Sequence, residues 1–169
     1  MSDRNSTGFC GIDCCLCPKY HITSENSCNG CLGKNFFDKK RLCRFISCIK
    51  KNPNYISCLD CNNFPCLKNK TFDQQKSFVS HEFALKNLLF IKSTGNNEFE
   101  NMQTRKEKVL RILLSKYNNG RLKSFYCNAV LELPISTLES IINESPQCTA
   151  IEMKSKIIDA LKENTTESK

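Results

Sequence analysis

The sequence of 169 residues has no tryptophan, only 6 glycines and only 5 prolines, which excludes a fibrous or disordered protein and indicates a globular one. It lacks the ~20 consecutive apolar residues of a membrane-spanning helix, because Lys86 and Asn87 interrupt its most apolar stretch. No apolar segment follows Met1, which argues against a secretory signal. Glycine-rich phosphate loops and recognisable acid–base pairs are also missing. These absences predict a cytoplasmic protein that does not contact a membrane and favour a non-catalytic role.

Cysteine, in contrast, is abundant: the chain has 13, of which 11 lie within the first 66 residues. In a reducing compartment, clustered thiols indicate metal binding rather than disulfides, and the odd total also argues against a complete set of intrachain disulfides. Only the thiolate binds metal, so two zinc ions on eight thiolates would lower the formal net charge from +8 to +4. The basic balance is therefore a weaker indication of nucleic-acid binding than it first suggests.

The clustered cysteines form four groups: Cys10-x3-Cys14-x2-Cys17, Cys28-x2-Cys31, Cys43-x4-Cys48 and Cys58-x2-Cys61-x4-Cys66. A C-x-x-C pair suits a tight turn that presents two sulfur atoms to one zinc ion, and three such pairs occur. Glycines at 11, 30 and 33 stand where such turns need a residue tolerant of positive φ. The pattern therefore predicts a segment built around metal sites.

The spacing favours one division of the sulfurs between two zinc ions. The first ion would take Cys14, Cys17, Cys28 and Cys31; the second would take Cys43, Cys48, Cys58 and Cys61; Cys10 and Cys66 compete for places in either site. Four-iron clusters, which also take cysteine ligands, are the alternative to zinc. The first triplet has the spacing of radical enzymes that use S-adenosylmethionine, but the alternating strands and helices of such enzymes do not follow it.

The order of these groups over residues 9–67 resembles a prokaryotic cysteine-rich domain-of-unknown-function family that is supposed to bind zinc. The shared motifs are C-G-x-x-C-x-x-C-P at 10–18, C-x-G-C at 28–31, a spaced cysteine pair, C-x-x-C at 58–61 and F-P-C at 64–66. Cys15 departs from the pattern and is interpreted as an extra thiol. The family brings no established activity. The resemblance implies ten metal ligands: Cys10, Cys14, Cys17, Cys28, Cys31, Cys43, Cys48, Cys58, Cys61 and Cys66.

A basic helix is predicted between the second and third C-x-x-C pairs, over residues 38–51, with Asn52-Pro53 ending it. Phe36, Phe37 and Phe45 beside it could stack on bases, although a solvated helix face with phenylalanines in a small core explains the same pattern. The candidate phosphate or nucleic-acid contacts are Lys39, Lys40, Arg41, Arg44, Lys50 and Lys51.

The remainder of the chain shows helical periodicity, which predicts helices over about 74–92, 96–117 and 122–132. Two capping-box patterns, Ser136-x-x-Glu139 and Thr149-x-x-Glu152, predict the starts of two more, and the polar tail 163–169 should fray. The predicted fold is mainly α: a cysteine-rich metal-knuckle segment, residues 1–70, packed on a small helical bundle, residues 71–169.

The remaining cysteines and histidines are predicted to have structural rather than catalytic or metal-binding roles. Cys127 and Cys148 are read as small apolar residues of a core rather than as catalytic thiols, and His21 and His81 as ordinary histidines rather than ligands. The expected function is a non-catalytic protein whose zinc sites present a surface to a protein or nucleic-acid partner. An iron–sulfur redox or cluster-transfer protein is the first alternative, and a zinc enzyme with an open position at Cys10, Cys14 and Cys17 is the second.

Overall fold

The computed structural model describes residues 6–31, 33, 43–72 and 81–167, and within them the protein is mainly helical, as predicted. In this part of the chain the only β pairing is an isolated antiparallel bridge between Thr7 and Asp13. None of the described helices combines the length and apolar character needed to cross a membrane. The α-helices are α1 (Ile46–Lys51), α2 (Leu67–Lys70), α3 (Glu82–Thr94), α4 (Asn96–Ile112), α5 (Lys123–Glu132), α6 (Ile135–Glu144) and α7 (Ala150–Glu167).

The chain divides into two compact units, Met1–Asn101 and Met102–Lys169, and the division falls within α4. We call them the N-terminal and C-terminal units. The N-terminal unit contains all ten predicted metal ligands. It also contains α3, which was predicted to belong to the helical bundle. A boundary after residue 70, as the distribution of cysteines suggested, stays a prediction.

Thiols and aromatic rings share the core of the N-terminal unit. Phe9, Phe45 and Phe72 are at most 7% exposed and pack with Ala84 and Leu88 of α3. The buried thiols of this core are Cys10, Cys31 and Cys58. Since the same core holds apolar side chains and candidate ligands, whatever holds the sulfurs together also supports the packing.

The basic helix predicted over 38–51 is seen as α1, which begins at Ile46; residues 38–42 lie outside the described part. The predicted stop is confirmed, because the backbone N–H of Asn52 donates to the Cys48 carbonyl at 3.1 Å and ends the helix. The helix predicted over 74–92 is seen from Glu82 to Thr94, and residues 74–80 lie outside the described part. Gly95, at φ +94°, then ends α3 before α4 begins at the predicted Asn96.

The C-terminal unit packs its helices through the predicted apolar stripes. Leu110 and Leu113 from α4 and the turn after it are buried, as are Val130 of α5, Leu138 of α6 and Ile157 of α7. The last turn of the second predicted helix is wider than an α-helix, with π-helical bonding over Leu113–Tyr117. A predicted signal, Asn118-Asn119-Gly120, ends that helix, with Gly120 at φ +88°.

Only one of the two capping boxes forms. The Thr149 box is confirmed: the N–H of Thr149 donates to Glu152 at 2.7 Å, and the N–H of Glu152 donates to the Thr149 hydroxyl at 3.3 Å. The Ser136 box is wrong, because α6 begins at Ile135 after Pro134. Glu139, which should have closed that box, instead accepts from the Nε of Arg105 at 2.9 Å.

The predicted fraying of the tail is not seen over residues 163–167, which are helical; residues 168 and 169 lie outside the described part. Helix α7 continues to Glu167. The hydroxyl of Thr165 donates to the Leu161 carbonyl at 2.7 Å, and the Asn164 amide donates to the Glu132 carbonyl at 3.5 Å. The contact between Asn164 and the end of α5 thus ties the last turns of α7 to a neighbouring helix beyond its apolar stripe.

Candidate metal centre

Two of the three C-x-x-C pairs lie on turns of the same shape. Cys14–Leu16 and Cys58–Asp60 each form a single 3-10 turn, closed by the N–H of Cys17 on the Cys14 carbonyl at 3.1 Å and by the N–H of Cys61 on the Cys58 carbonyl at 3.2 Å. In a 3-10 turn the side chains at i and i+3 lie nearly one above the other. Each turn therefore brings its two thiols to one side, which is the arrangement that the spacing predicted.

The third pair is held to the first by the backbone. Gly30, between Cys28 and Cys31, takes φ +81°, so a residue without a side chain is required there. The N–H of Cys28 donates to the carbonyl of Lys19 at 3.0 Å, which places this pair beside the first turn. The predicted positive φ of Gly30 is thus confirmed, whereas the same prediction is wrong for Gly33.

Several backbone N–H groups are directed at the sulfur atoms. The N–H of Phe9 lies 2.9 Å from the sulfur of Cys31. Burial raises the pKa of Cys31 to about 11, and this N–H opposes the rise. Burial also raises the pKa of Cys17, and hydrogen bonds from the backbone N–H groups of Lys19 and Tyr20 oppose that rise. Hydrogen bonds of this kind favour the thiolate, which is the form that binds metal.

The ten predicted ligands of the N-terminal unit fall into two neighbouring sets, and the charge of Cys58 in the second also raises the pKa of Cys10 in the first. We call the first the six-cysteine group: Cys10, Cys14, Cys17, Cys28, Cys31 and Cys43. The position that a Cβ on Gly8 would occupy lies 3.4 Å from the sulfur of Cys14 and 3.5 Å from that of Cys31. Burial raises the pKa of Cys14 well above its usual value, and the charges of neighbouring thiols in this group raise it further. The sulfurs of this group thus act on one another electrostatically.

We call the second set the four-cysteine group: Cys48, Cys58, Cys61 and Cys66. Burial is the main cause that raises the pKa of Cys58 to about 12, and the other three thiols add to the rise. The two groups are neighbours, because the N–H of Cys58 donates to the Phe9 carbonyl at 2.9 Å. This grouping differs from the spacing-based one, in which Cys43 stood with Cys58 and Cys66 competed for a place.

As they stand, the thiols do not form a finished site. In the described residues, which include all ten predicted ligands, no three side chains of His, Cys, Asp or Glu converge closely enough to hold a metal ion. The donor chemistry fits zinc or an iron–sulfur cluster, since thiolates are the preferred ligands of both. Binding would require the sulfurs to turn toward a shared point and to release their protons.

Helix α3 holds the first turn in place. The side-chain amide of Asn87 donates to the carbonyl of Gly11 at 2.9 Å and to the carboxylate of Asp13 at 2.8 Å. Gly11 has φ +88°, and a Cβ there would lie 2.2 Å from the carbonyl oxygen of Ala84. Sequence reasoning missed Asn87 and Asp13, because 74 residues separate them and no local pattern joins them.

Asn69 and Lys68, just after the last cysteine, were missed as well. The Oδ1 of Asn69 lies 3.2 Å from both the backbone nitrogen and the sulfur of Cys66, and Lys68 lies 3.2 Å from the sulfur of Cys48. A signal for Asn69 existed: it stands three residues after the cysteine that precedes α2, a position from which a side chain can reach back to the start of a helix.

The basic candidates are only partly described. Lys39, Lys40 and Arg41 lie outside the described residues, as do Phe36 and Phe37. Lys50 and Lys51 are exposed on α1, as both the nucleic-acid and the solvated-face interpretations expect. Arg44 is bound to its own unit, since its guanidinium donates to the Thr71 hydroxyl at 3.1 Å. Phe45 is 1% exposed, so the suggestion that it stacks on bases is wrong: its ring belongs to the core.

Cys127 lies in a core, as predicted, whereas Cys148, predicted to do the same, is only partly buried. Cys15 and Cys127 are fully buried. The Nε2 of His21 forms a hydrogen bond of 2.6 Å with the carbonyl oxygen of Cys15. His81 stacks on Phe72, with ring centroids 4.2 Å apart. None of the 13 cysteines forms a disulfide.

No protein-family model matches this chain, and comparisons with curated proteins and with solved structures give no match either. The resemblance to a zinc-binding cysteine-rich family therefore stays an expectation from motif order, and the functional argument depends on the residues themselves.

Proposed function

We propose that this protein binds metal ions, zinc foremost, through the cysteines of its N-terminal unit, and that the bound metal stabilises a surface for a partner. The observation that carries the proposal is the set of buried sulfurs that receive backbone N–H groups, such as Cys31 beside Phe9. Such N–H groups favour the charged thiolate. A buried thiolate without a counter-charge would be very costly, and a metal ion supplies that charge. The same chemistry supports a reducing, cytoplasmic location.

Metal content tests this proposal directly. Protein purified without oxygen should contain zinc, at about two ions per chain if the two cysteine groups bind separately, and should be colourless. Elemental analysis measures the amount, and absorbance distinguishes the alternative, because a four-iron cluster is brown and is bleached by reduction. Protein that folds with neither zinc nor iron, and that takes up neither when supplied, would contradict the proposal.

The surface offered to a partner lies around α1 and α2. These helices are adjacent, because Lys68 also donates to Ser47 at 3.2 Å. Lys50, Lys51 and Lys70 are exposed on them. Two large apolar side chains nearby in sequence, Ile56 and Leu67, are each 74% exposed. Exposed apolar residues among lysines suit a protein partner with acidic and apolar side chains, and the burial of Phe45 removes one way of stacking on bases.

Nucleic-acid binding separates the two classes of partner. If the natural partner is a protein, this chain should bind a 20-nucleotide RNA or DNA only weakly. The dissociation constant should be ~10⁻⁴–10⁻⁶ M, typical of non-specific contacts, and the affinity should fall as salt is added. Fluorescence anisotropy would compare Lys50→Glu/Lys51→Glu with a control on exposed lysines of the other unit, Lys108→Glu/Lys116→Glu. Tight binding that only the first variant loses would establish nucleic acid as the partner instead.

A further inference from the structure

The four-cysteine group is assembled from three pieces of chain. Cys48 comes from α1, Cys58 and Cys61 from the second 3-10 turn, and Cys66 from the residue before α2. Backbone bonds connect these pieces: the N–H of Phe64 donates to the Cys61 carbonyl at 3.0 Å, and the N–H of Asn69 donates to the Cys66 carbonyl at 3.0 Å. The thiols are therefore positioned by a continuous bonded framework from Cys58 to Asn69, with α1 beside it.

One buried polar atom in this framework lacks a partner. Asn69 is 3% exposed, and its Nδ2 is the one buried side-chain nitrogen or oxygen in the described residues without a hydrogen bond. Its other atom, Oδ1, accepts from the N–H and from the thiol of Cys66. A buried donor without a partner costs about 1–3 kcal/mol. An amide held in this way indicates that an acceptor belongs beside it.

The sulfur of Cys58 is the acceptor at hand. The Asn69 side chain approaches Cys58 closely enough to lower the pKa of that thiol, although its amide nitrogen makes no hydrogen bond of ordinary geometry. A neutral thiol is a weak acceptor, whereas hydrogen bonds to an ionised group are about twice as strong as neutral ones. The Oδ1 of Asn69, in contrast, is an acceptor 3.2 Å from the Cys66 sulfur and suits the thiol form of that residue. The unpaired Nδ2 beside Cys58 is therefore the one contact of Asn69 that a thiolate would improve.

We propose that Cys48, Cys58, Cys61 and Cys66 bind one metal ion as a separate site, with the Nδ2 of Asn69 donating to Cys58 and Lys68 beside Cys48. This inference rests on the proposed function, that the chain binds metal, and specifies one of its sites. Zinc would exchange its water ligands for four sulfurs, and four thiol protons would go to solvent, leaving a site of net charge −2. The ammonium of Lys68, 3.2 Å from the sulfur of Cys48, offsets part of that charge.

This assignment exchanges one cysteine relative to the division by spacing. Cys66 enters, since its thiol and that of Cys58 face the same asparagine. Cys43 leaves, because its neighbours are Cys10 and Cys31 of the six-cysteine group. The difference between Cys43 and Cys66 as a ligand is therefore the point that an experiment has to decide.

Cadmium-113 NMR on the full wild-type chain decides it without a substitution. Cadmium replaces zinc at thiolate sites, and a ¹¹³Cd–¹H correlation spectrum identifies the cysteines bound to each ion by their β protons. We expect one cadmium signal connected to Cys48, Cys58, Cys61 and Cys66. A signal that connects Cys58 with Cys43 in place of Cys66 would overturn the assignment while leaving metal binding intact. No thiolate-bound cadmium at all would contradict the proposed function itself.

The part played by Asn69 has a separate test. Asn69→Leu keeps the four sulfurs and a similar volume but removes both the N–H donor and the Oδ1 that accepts from the N–H of Cys66. Loss of an outer hydrogen-bond partner typically costs 10–100-fold in metal affinity, which competition with a chromophoric chelator would measure. Asn62→Leu, at an exposed position in the same segment, is the matched control and should leave the affinity unchanged. Equal affinities for Asn69→Leu and wild type would show that the amide does not support the site.

Discussion

Removal of metal by a strong chelator should unfold the N-terminal unit and leave most of the helices in the C-terminal unit intact. A structural zinc site provides an apparent binding free energy of about 10–16 kcal/mol, as much as the ~5–15 kcal/mol net stability of a whole domain. The core of the N-terminal unit mixes its apolar side chains with Cys10, Cys31 and Cys58, so unbound thiols would weaken the packing of Phe9 and Leu88 as well. Far-UV circular dichroism would measure the helix that remains.

The C-terminal unit should survive because none of the ten predicted ligands belongs to it. Its core is built from apolar residues such as Leu110, Leu138 and Ile157, all at most 1% exposed. Helix α3, with 13 residues, should be lost with the N-terminal unit, since isolated helices of about that length are marginal in water. Amide hydrogen exchange would locate the loss, and added zinc should reverse it. Unfolding of both units together, or of neither, would contradict the prediction.

Local patterns in the sequence predicted the elements whose contacts are themselves local. The stop of α1 at Asn52, the start of α4 at Asn96 and the Thr149 capping box each depend on residues within one helical turn. The C-x-x-C turns succeed for the same reason, because a bond between residues three apart shapes them.

Patterns failed where a distant residue competes for the same side chain. The Ser136 box is absent because Arg105, 34 residues away, takes Glu139, and the hydrogen bond from Arg105 lowers the pKa of that carboxylate. The tail is helical partly because Asn164 reaches the Glu132 carbonyl, 32 residues away. In both cases a side chain classified as surface or capping has a partner that only the folded chain supplies.

The division of the sulfurs is unpredictable from spacing for a related reason. Spacing along the chain favours Cys43 as the neighbour of Cys48, five residues away. In the structure, Lys68 of α2 contacts both Cys48 and Ser47 of α1, so Cys48 lies beside the helix that follows Cys66. Which thiols meet thus depends on how helices pack, a property that one cysteine-rich sequence does not reveal.

Gly11→Ala should be among the most destabilising single substitutions in the N-terminal unit. The new Cβ would lie 2.2 Å from the carbonyl oxygen of Ala84 and 2.7 Å from the Leu88 side chain, distances that only a shift of α3 can relieve. That shift would also strain the two hydrogen bonds from Asn87. Overpacking costs about 1–3 kcal/mol, each strained bond about 0.5–1.5 kcal/mol, and positive φ adds to both.

Gly95→Ala separates the contact from the backbone strain. Gly95 also has positive φ, +94°, and belongs to the same unit, yet nothing lies within 4 Å of where its Cβ would be. It should therefore cost only the strain of a rarely populated conformation, about 1–3 kcal/mol. Denaturant unfolding with metal bound should show a free energy of unfolding for Gly11→Ala that is roughly 2–6 kcal/mol lower than that for Gly95→Ala. Equal losses would mean that the first cysteine turn does not depend on its close approach to α3, and that the sulfurs alone position it.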